Sequence, residues 1–336
     1  MFELGRSSLV CASQRRESVM TVLRAGSIER SFHHELPVSA RRLGEWVLIR
    51  PVAEGNWTQL YQAQAASASP GSPPQYAVKT IRPECFDSSI AQRILAREVE
   101  VARMVTHPHI VPVLAWQLRH PPQYVVMPWL EGVSLRDLLR QRSPLPTAEA
   151  LWLTRQIAEG LAALHAAGWI HADLKPENII VSSDYHVTLI DLGFCVRQSE
   201  IQGRRRLIAG TLNYIAPEWW TMDGRPDARS DLFSLGVILY EMLCGRRPTN
   251  AKTLDELVAL HRTWRLPAAQ TVRGTLPREL VRLLRSLLAR IPERRPHSAT
   301  ALIEALYPLE IEFFTDRDYS AALEHAGTNT VFSRHC

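Results

Sequence analysis

His171-Ala172-Asp173-Leu174-Lys175-Pro176-Glu177-Asn178 is the stretch from which the rest of the chain can be read. These eight residues hold an imidazole, two carboxylates, an ammonium and a carboxamide, with a proline that stops a helix from running through. The stretch follows a helical pattern over Thr147 to Ala167, where Leu153, Ile157, Leu161 and Leu164 share one face. Thirteen residues beyond Asn178, after a strand-like Val187 to Ile190, comes Asp191-Leu192-Gly193. Upstream, Lys79 lies in a strand over Tyr76 to Ile81, and Glu98 in a helix over Ile90 to Val105. Downstream stand Gly210-Thr211, Ala216-Pro217-Glu218, Ser230-Asp231 before the apolar Leu232 to Leu243, and Arg294-Arg295-Pro296.

Further strands are expected at Trp46 to Ile49, Gln59 to Ala63 and Tyr124 to Trp129. The first two are joined by a turn at Glu54-Gly55-Asn56, and Ala65 to Pro74 reads as an enlarged Pro/Ser/Gly loop. A strand-rich first third thus precedes a helix-rich remainder, the pattern of an α+β chain with two lobes and a cleft between them. The expected divisions are a flexible N-terminal extension over 1–44, a β-sheet lobe with one helix over 45–130, a mostly helical lobe over 131–309 and a C-terminal tail over 310–336.

The bulk numbers exclude several classes. With 46% hydrophobic and 22% charged residues the composition is that of a globular protein. The five cysteines are scattered and form no C-x-x-C, which argues against a disulfide framework or zinc site and for a reducing, cytoplasmic setting. The longest apolar run, Leu232 to Cys244, is too short for a membrane span, which needs about 20 residues. A net charge of +5 is spread along the chain without aromatic interleaving, so no nucleic-acid surface is expected.

Taken together and in order, these motifs resemble those of eukaryotic-type (Hanks-type) serine/threonine protein kinases of the kind also common in bacteria. The resemblance covers about residues 46–309 and implies the bilobal protein kinase fold, with ATP and Mg²⁺ (or Mn²⁺) as cofactors and protein Ser/Thr hydroxyls as acceptors. It implies that Lys79 grips the α/β-phosphates and Glu98 orients it, that Asn178 and Asp191 offer oxygen ligands to the metal, and that Asp173 accepts and orients the substrate hydroxyl. Lys175 would neutralise the γ-phosphate, and Thr211 would contact Asp173 and Lys175. The adenine would lie between Val52, Leu60 and Ala77 above and Ile180 below, with Met127 as gatekeeper and Pro128 and Leu130 on its edge. Structural roles fall to His171 as a packed scaffold residue, Gly193, Asp231 as acceptor for the catalytic-loop backbone, and Glu218 paired with Arg295.

The chain departs from the family at two places. The phosphate loop has Ala53, Gly55 and Thr58 where three glycines are usual, with Asn56 and Trp57 at its tip. Gly55 stands at the closest approach to phosphate, while Ala53 adds a methyl and Thr58 is stiff. The Arg that often pairs with a phosphorylated activation segment is replaced by Ala172. We therefore expect activity that does not depend on phosphorylation of that segment, where Arg204-Arg205-Arg206 reads as a solvated charge run or as an acidic-substrate or self-docking patch. The alternative is a pseudokinase, a nucleotide-binding scaffold. Against it stands the lysine usage: of 39 basic residues only Lys79, Lys175 and Lys252 are Lys, and two of these fall where the mechanism asks for a compact ammonium.

Overall fold

The computed structural model describes residues 42–69, 71–201, 212–220, 224–262, 270–271 and 274–314. Thr211, Arg204-Arg205-Arg206, and nearly all of the expected extension and tail lie outside the described residues. One antiparallel sheet dominates the first part. Strands β1 (Arg42–Leu43), β2 (Trp46–Glu54), β3 (Thr58–Ala65), β4 (Tyr76–Ile81), β5 (Ala115–Gln117) and β6 (Tyr124–Pro128) pair in the order β1-β2-β3-β4-β6-β5. Side chains alternate across a strand. Val78 and Val126 therefore join Leu48, Tyr61 and Ala63 on one face, while Ala77, Ile81, Val125 and Met127 enter the main core on the other. Lys79 lies between Ala77 and Ile81 in that alternation, which aims it at the second face.

Helix α1 (Ser89–Met104) covers that face. Ser88 caps it, its hydroxyl oxygen accepting the Ala91 N–H at 3.3 Å. Its buried stripe of Ala91, Ile94, Leu95, Val99 and Val101 also contains Glu98. An acid inside an apolar stripe needs a partner, and α1 is placed so that it has one.

The second part is helical: α2 (Leu135–Arg142), α3 (Thr147–Ala166), α4 (Ala228–Cys244), α5 (Leu254–Arg262), α6 (Arg278–Leu287) and α7 (Ala299–Phe314). Between α3 and α4 lie short strands. β9 (Ile179–Val181) pairs with β10 (Val187–Leu189) and with β7 (Val133–Ser134), and β8 (Trp169–Ile170) pairs with β11 (Val196–Arg197). Helix α4 is buried without a break from Ser230 to Leu243, as a helix that is apolar nearly all round must be. It starts four residues before the expected Leu232, because Asp227 and Ser230 close a capping box ahead of the apolar run. Asp231 is therefore in its first turn.

Two expected divisions shift. Arg42–Leu43 pairs with β2 and buries Leu43, so the sheet reaches into the stretch expected as extension. Helix α7 runs to Phe314, past the expected start of the tail, because Leu309 and Glu310 are buried and Arg155 holds the Glu310 carboxylate at 2.9 Å. Among the described residues no helix is long and apolar enough to cross a membrane.

Candidate active site

Lys79 is the meeting point of three distant pieces of chain. Its ammonium donates to Glu98 Oε1 on α1 and to Asp191 Oδ1 at 2.8 Å. Burial alone would lower the Lys79 pKa, but the Asp191 and Glu98 carboxylates outweigh it and hold it above the ordinary value. Asp191 is depressed to about 2, the Lys79 charge overcoming the cost of burial. Glu98 is pushed up to about 7 by burial and by the nearby Asp191 charge, against the pull of Lys79. Its second oxygen, Oε2, is buried without a hydrogen-bond partner, in keeping with that direction.

Asp191 has left-handed backbone, φ 63°. The turn that follows it packs under α1 so closely that a Cβ on Gly193 would stand 2.5 Å from the Ile94 side chain and 2.9 Å from its carbonyl oxygen. Gly193 is thus the price of a helix resting directly on the turn that carries Asp191.

In the loop of residues 171–178 all but Ala172 and Glu177 are buried, and the side chains of Asp173, Lys175 and Asn178 are joined. Lys175 Nζ donates to Asp173 Oδ2 at 2.8 Å. The Asn178 amide donates to the Asp173 carbonyl at 2.9 Å and to its Oδ2 at 3.0 Å. Burial raises the Asp173 pKa, opposed by Lys175 and reinforced by Asp191. For Lys175 the burial penalty is outweighed by Asp173, so it stays protonated. Ala172 has φ 64°, an uncommon conformation for a side chain other than glycine. Asp231 holds the strained turn: its carboxylate accepts the His171 N–H at 2.8 Å and the Ala172 N–H at 3.0 Å, and a third contact comes from His165 Nε2 at 2.8 Å. His171 is fully buried, and its Nδ1 accepts the Asp173 N–H at 3.4 Å.

The other expected residues fall as follows. Ala77 pairs across strands with Met127, and both are buried; Leu60, Pro128, Leu130 and Ile180 are half-buried; Val52, at an irregularity between paired strands, is 37% exposed. Gly55 has neither positive φ nor crowding, since a Cβ there would meet nothing nearer than the Thr58 carbonyl at 3.6 Å. The tip around it is tied down. The Gly55 N–H donates to the Thr58 carbonyl at 2.8 Å, and the Arg82 side chain donates to the Gly55 carbonyl at 3.1 Å. Trp57 packs on Phe194 with ring centroids 6.2 Å apart. Glu218 and Arg295 form a buried two-bond pair at 2.6 and 2.8 Å. Lys252 is exposed, outside the site.

The model of the protein kinase domain matches residues 48–307. This chain belongs to the protein kinase family, Hanks type. It is similar to the serine/threonine-protein kinase PknD of Mycobacterium tuberculosis, 32% identical over 274 residues, which are 81% of this chain and 40% of PknD. Human serine/threonine-protein kinase ULK3 is 32% identical over 259 residues, 76% of this chain and 53% of ULK3. PknL of Mycobacterium tuberculosis is 37% identical over 186 residues, 55% of this chain and 46% of PknL. The chain spans about half the length of these curated relatives or less.

Sequence reading missed a cluster centred on Arg136. The Arg136 guanidinium donates to Glu177 at 2.8 Å and to Glu241 at 2.9 Å, and also to the Tyr214 hydroxyl, which itself donates to Glu241 at 2.6 Å. It ties the catalytic loop to α4 and to the segment before Ala216-Pro217-Glu218. The partners lie up to 105 residues apart, and an Arg or Glu of ordinary helical surface looks the same in sequence.

The centre of the site also brings together two oxygen-bearing side chains, Asn178 and Asp191, fewer than a dedicated metal cage needs and in keeping with a cation held mainly by phosphates. The Ile190 N–H bonds the Asn178 carbonyl at 3.0 Å, which sets Asn178 and Asp191 at the same end of the β9–β10 hairpin. Asn178 commits its amide nitrogen to Asp173, leaving its side-chain oxygen outside those bonds. Two ammoniums, Lys79 and Lys175, face three carboxylates, Glu98, Asp173 and Asp191. Such a cleft suits a polyphosphate that brings its own cation better than a bare anion.

Proposed function

We propose that this chain is a protein serine/threonine kinase that transfers the γ-phosphoryl group of Mg·ATP to Ser or Thr hydroxyls of protein substrates. The observation that carries the reading is the triple junction at Lys79, where one buried ammonium meets a carboxylate from α1 and a carboxylate beside the catalytic loop. A scaffold has no use for a buried charge cluster of this cost. In this reading Lys79 orients the α/β-phosphates, and Glu98 holds Lys79. Asn178 and Asp191 would hold Mg²⁺ or Mn²⁺, which when bound offsets phosphate charge. Asp173 receives the substrate hydroxyl and orients its oxygen, while Lys175 offsets charge gathering on the transferred group. Gly55 fits here too: the fold does not require a glycine at that position, and close approach of a phosphate would.

Protein rather than small-molecule acceptors are favoured by the platform built on Ala216-Pro217-Glu218, which Arg295 and Ser230 lock to α4. Ala53, Thr58 and the tied-down tip favour the second reading, a pseudokinase that binds nucleotide and transfers little. Radiolabelled ATP and a generic basic protein separate the two. We expect label well above that of Asp173→Asn; equal label with ATP binding intact in both would establish the scaffold reading.

A further inference from the structure

Ala172 leaves the catalytic loop without the side chain that would gather a phosphate on the segment after Asp191, yet α1 is firmly attached to that segment by other means. Arg97, the residue before Glu98, donates to both carboxylate oxygens of Glu200, at 2.9 and 3.2 Å. One turn further along α1, Glu100 accepts from Arg197 at 2.8 Å, and Arg97 lies 3.1 Å from the same Glu100 carboxylate. Both guanidiniums rest on Trp169, which is fully buried in β8: the Arg97 and Arg197 carbons are 4.8 and 4.4 Å from its ring centroid. Trp169 is moreover the direct strand partner of Arg197. Two cations, two anions and one aromatic platform make a closed, charge-balanced clamp.

The clamp lies on a defined face of α1. Ile94 touches Gly193, Arg97 takes Glu200, Glu100 takes Arg197, and Arg197 also reaches the Met104 sulfur at 3.1 Å. Spacings of three to four residues put these positions in one row. Glu98 is next in sequence to Arg97 but about 100° around the helix, and so points to Lys79 instead. Rotating or lifting α1 would break both sets of contacts together. Ser199, the sole hydroxyl side chain between Asp191 and Ile201, is exposed, while its neighbour Glu200 is the one turned to α1.

We propose that Glu200 is a built-in anionic anchor: seated on Arg97, it holds α1 where Glu98 reaches Lys79, so that the site is assembled without a phosphate on the segment. Glu200, Arg97, Arg197 and Trp169 are positioning residues, none of which touches the reacting groups. The inference rests on the kinase reading for its catalytic consequence but not for the clamp itself. Its test therefore has two readouts on the full chain.

The first is hydrogen exchange of the α1 amides in wild type, Glu200→Gln and Glu200→Asp, with the buried α4 amides as internal control. The expected result is exchange roughly fivefold faster in α1 for Glu200→Gln, unchanged exchange in α4, and wild-type behaviour restored by Glu200→Asp. The second is kcat and KM for ATP before and after phosphatase treatment. Here we expect wild type to keep its rate after phosphatase, Glu200→Gln to lose roughly fivefold in kcat, and Glu200→Asp to stay near wild type. Unchanged α1 exchange in Glu200→Gln overturns the clamp whatever the activity. A wild-type rate that collapses on phosphatase treatment overturns phosphate independence. If wild type transfers no more label than Asp173→Asn, the kinase reading is the part that fails, and exchange alone decides the clamp.

Discussion

The catalytic loop, residues 171–178, and the tip of the β2–β3 hairpin, residues 53–58, are expected to serve the same nucleotide, yet they are held in different ways. In the loop, His171, Asp173, Lys175 and Asn178 are all buried, and the strained Ala172 turn is held by a buried carboxylate from α4. At the tip, Ala53 and Gly55 are exposed, and the restraints include a hairpin bond, Arg82, a thiol bond from Cys85 to the Asn56 carbonyl and an aromatic contact. A buried, cross-linked loop tolerates almost no substitution, because each lost partner leaves a desolvated polar group. An exposed tip tolerates Ala and Thr where glycines are usual, because water can take the place of lost contacts. Departure from the family pattern at the tip therefore carries less weight about activity than agreement at Asp173, Lys175 and Asn178 in the loop.

Four variants would break or sharpen that contrast. The largest effect is expected for Asp173→Asn, with a loss of about 10³ in kcat and ATP binding retained; a rate within tenfold of wild type would sink the assigned role. Next comes Lys79→Arg, a change that keeps charge but not shape. Two carboxylates are spaced for a compact ammonium, so a loss of about 10² in kcat/KM is expected even in this Arg-rich chain. Asp231→Ala acts on stability. It strands the buried His171 N–H and the partly buried Ala172 N–H, and the denaturation midpoint should report about 2–3 kcal/mol of lost stability. The smallest effect belongs to the tip, where Ala53→Gly with Thr58→Gly should change kcat/KM by only a few-fold; a hundredfold gain would show that the tip, not the loop, limits the enzyme.

A pH titration adds a test at the junction between the two regions. Glu98 is raised to about 7 in the folded chain, above its ordinary value near 4.5. The folded state therefore binds its proton more tightly than the unfolded state does. The associated stability is present below about pH 4.5 and is lost as pH rises towards 7. Glu98→Gln cannot titrate, so the stability of wild type relative to this variant should fall across that window. A pH-independent difference would mean that Glu98 is not perturbed.

The residues legible in sequence were those whose chemical type is rare for the position. Lys79 and Lys175 stand out in a chain that otherwise writes Arg, and an Asp-x-Lys-x-x-Asn run has few bland explanations. The elements carrying them were legible for the same reason that they are long: β4, α1 and α3 show a full period, and their expected ends lie within one residue of those observed. β1 and β5 are too short to show one. Arg97, Glu200, Trp169 and the Arg136 cluster were illegible because their partners, Glu100 apart, lie 27 to 105 residues away. Nothing in Arg or Glu marks a surface charge apart from a clamp.

Sequence by itself determined the family and the two-lobed α+β architecture, and it named the groups expected at the centre of the site, since each depends on residue type and order along the chain. Only the tertiary structure decided what holds them together. Glu98 meets Lys79 because Gly193 lets α1 rest on the turn carrying Asp191, and because Glu200 and Arg197 secure the helix from the other side. Those contacts depend on distances between segments far apart in the chain, which packing sets and local pattern does not encode.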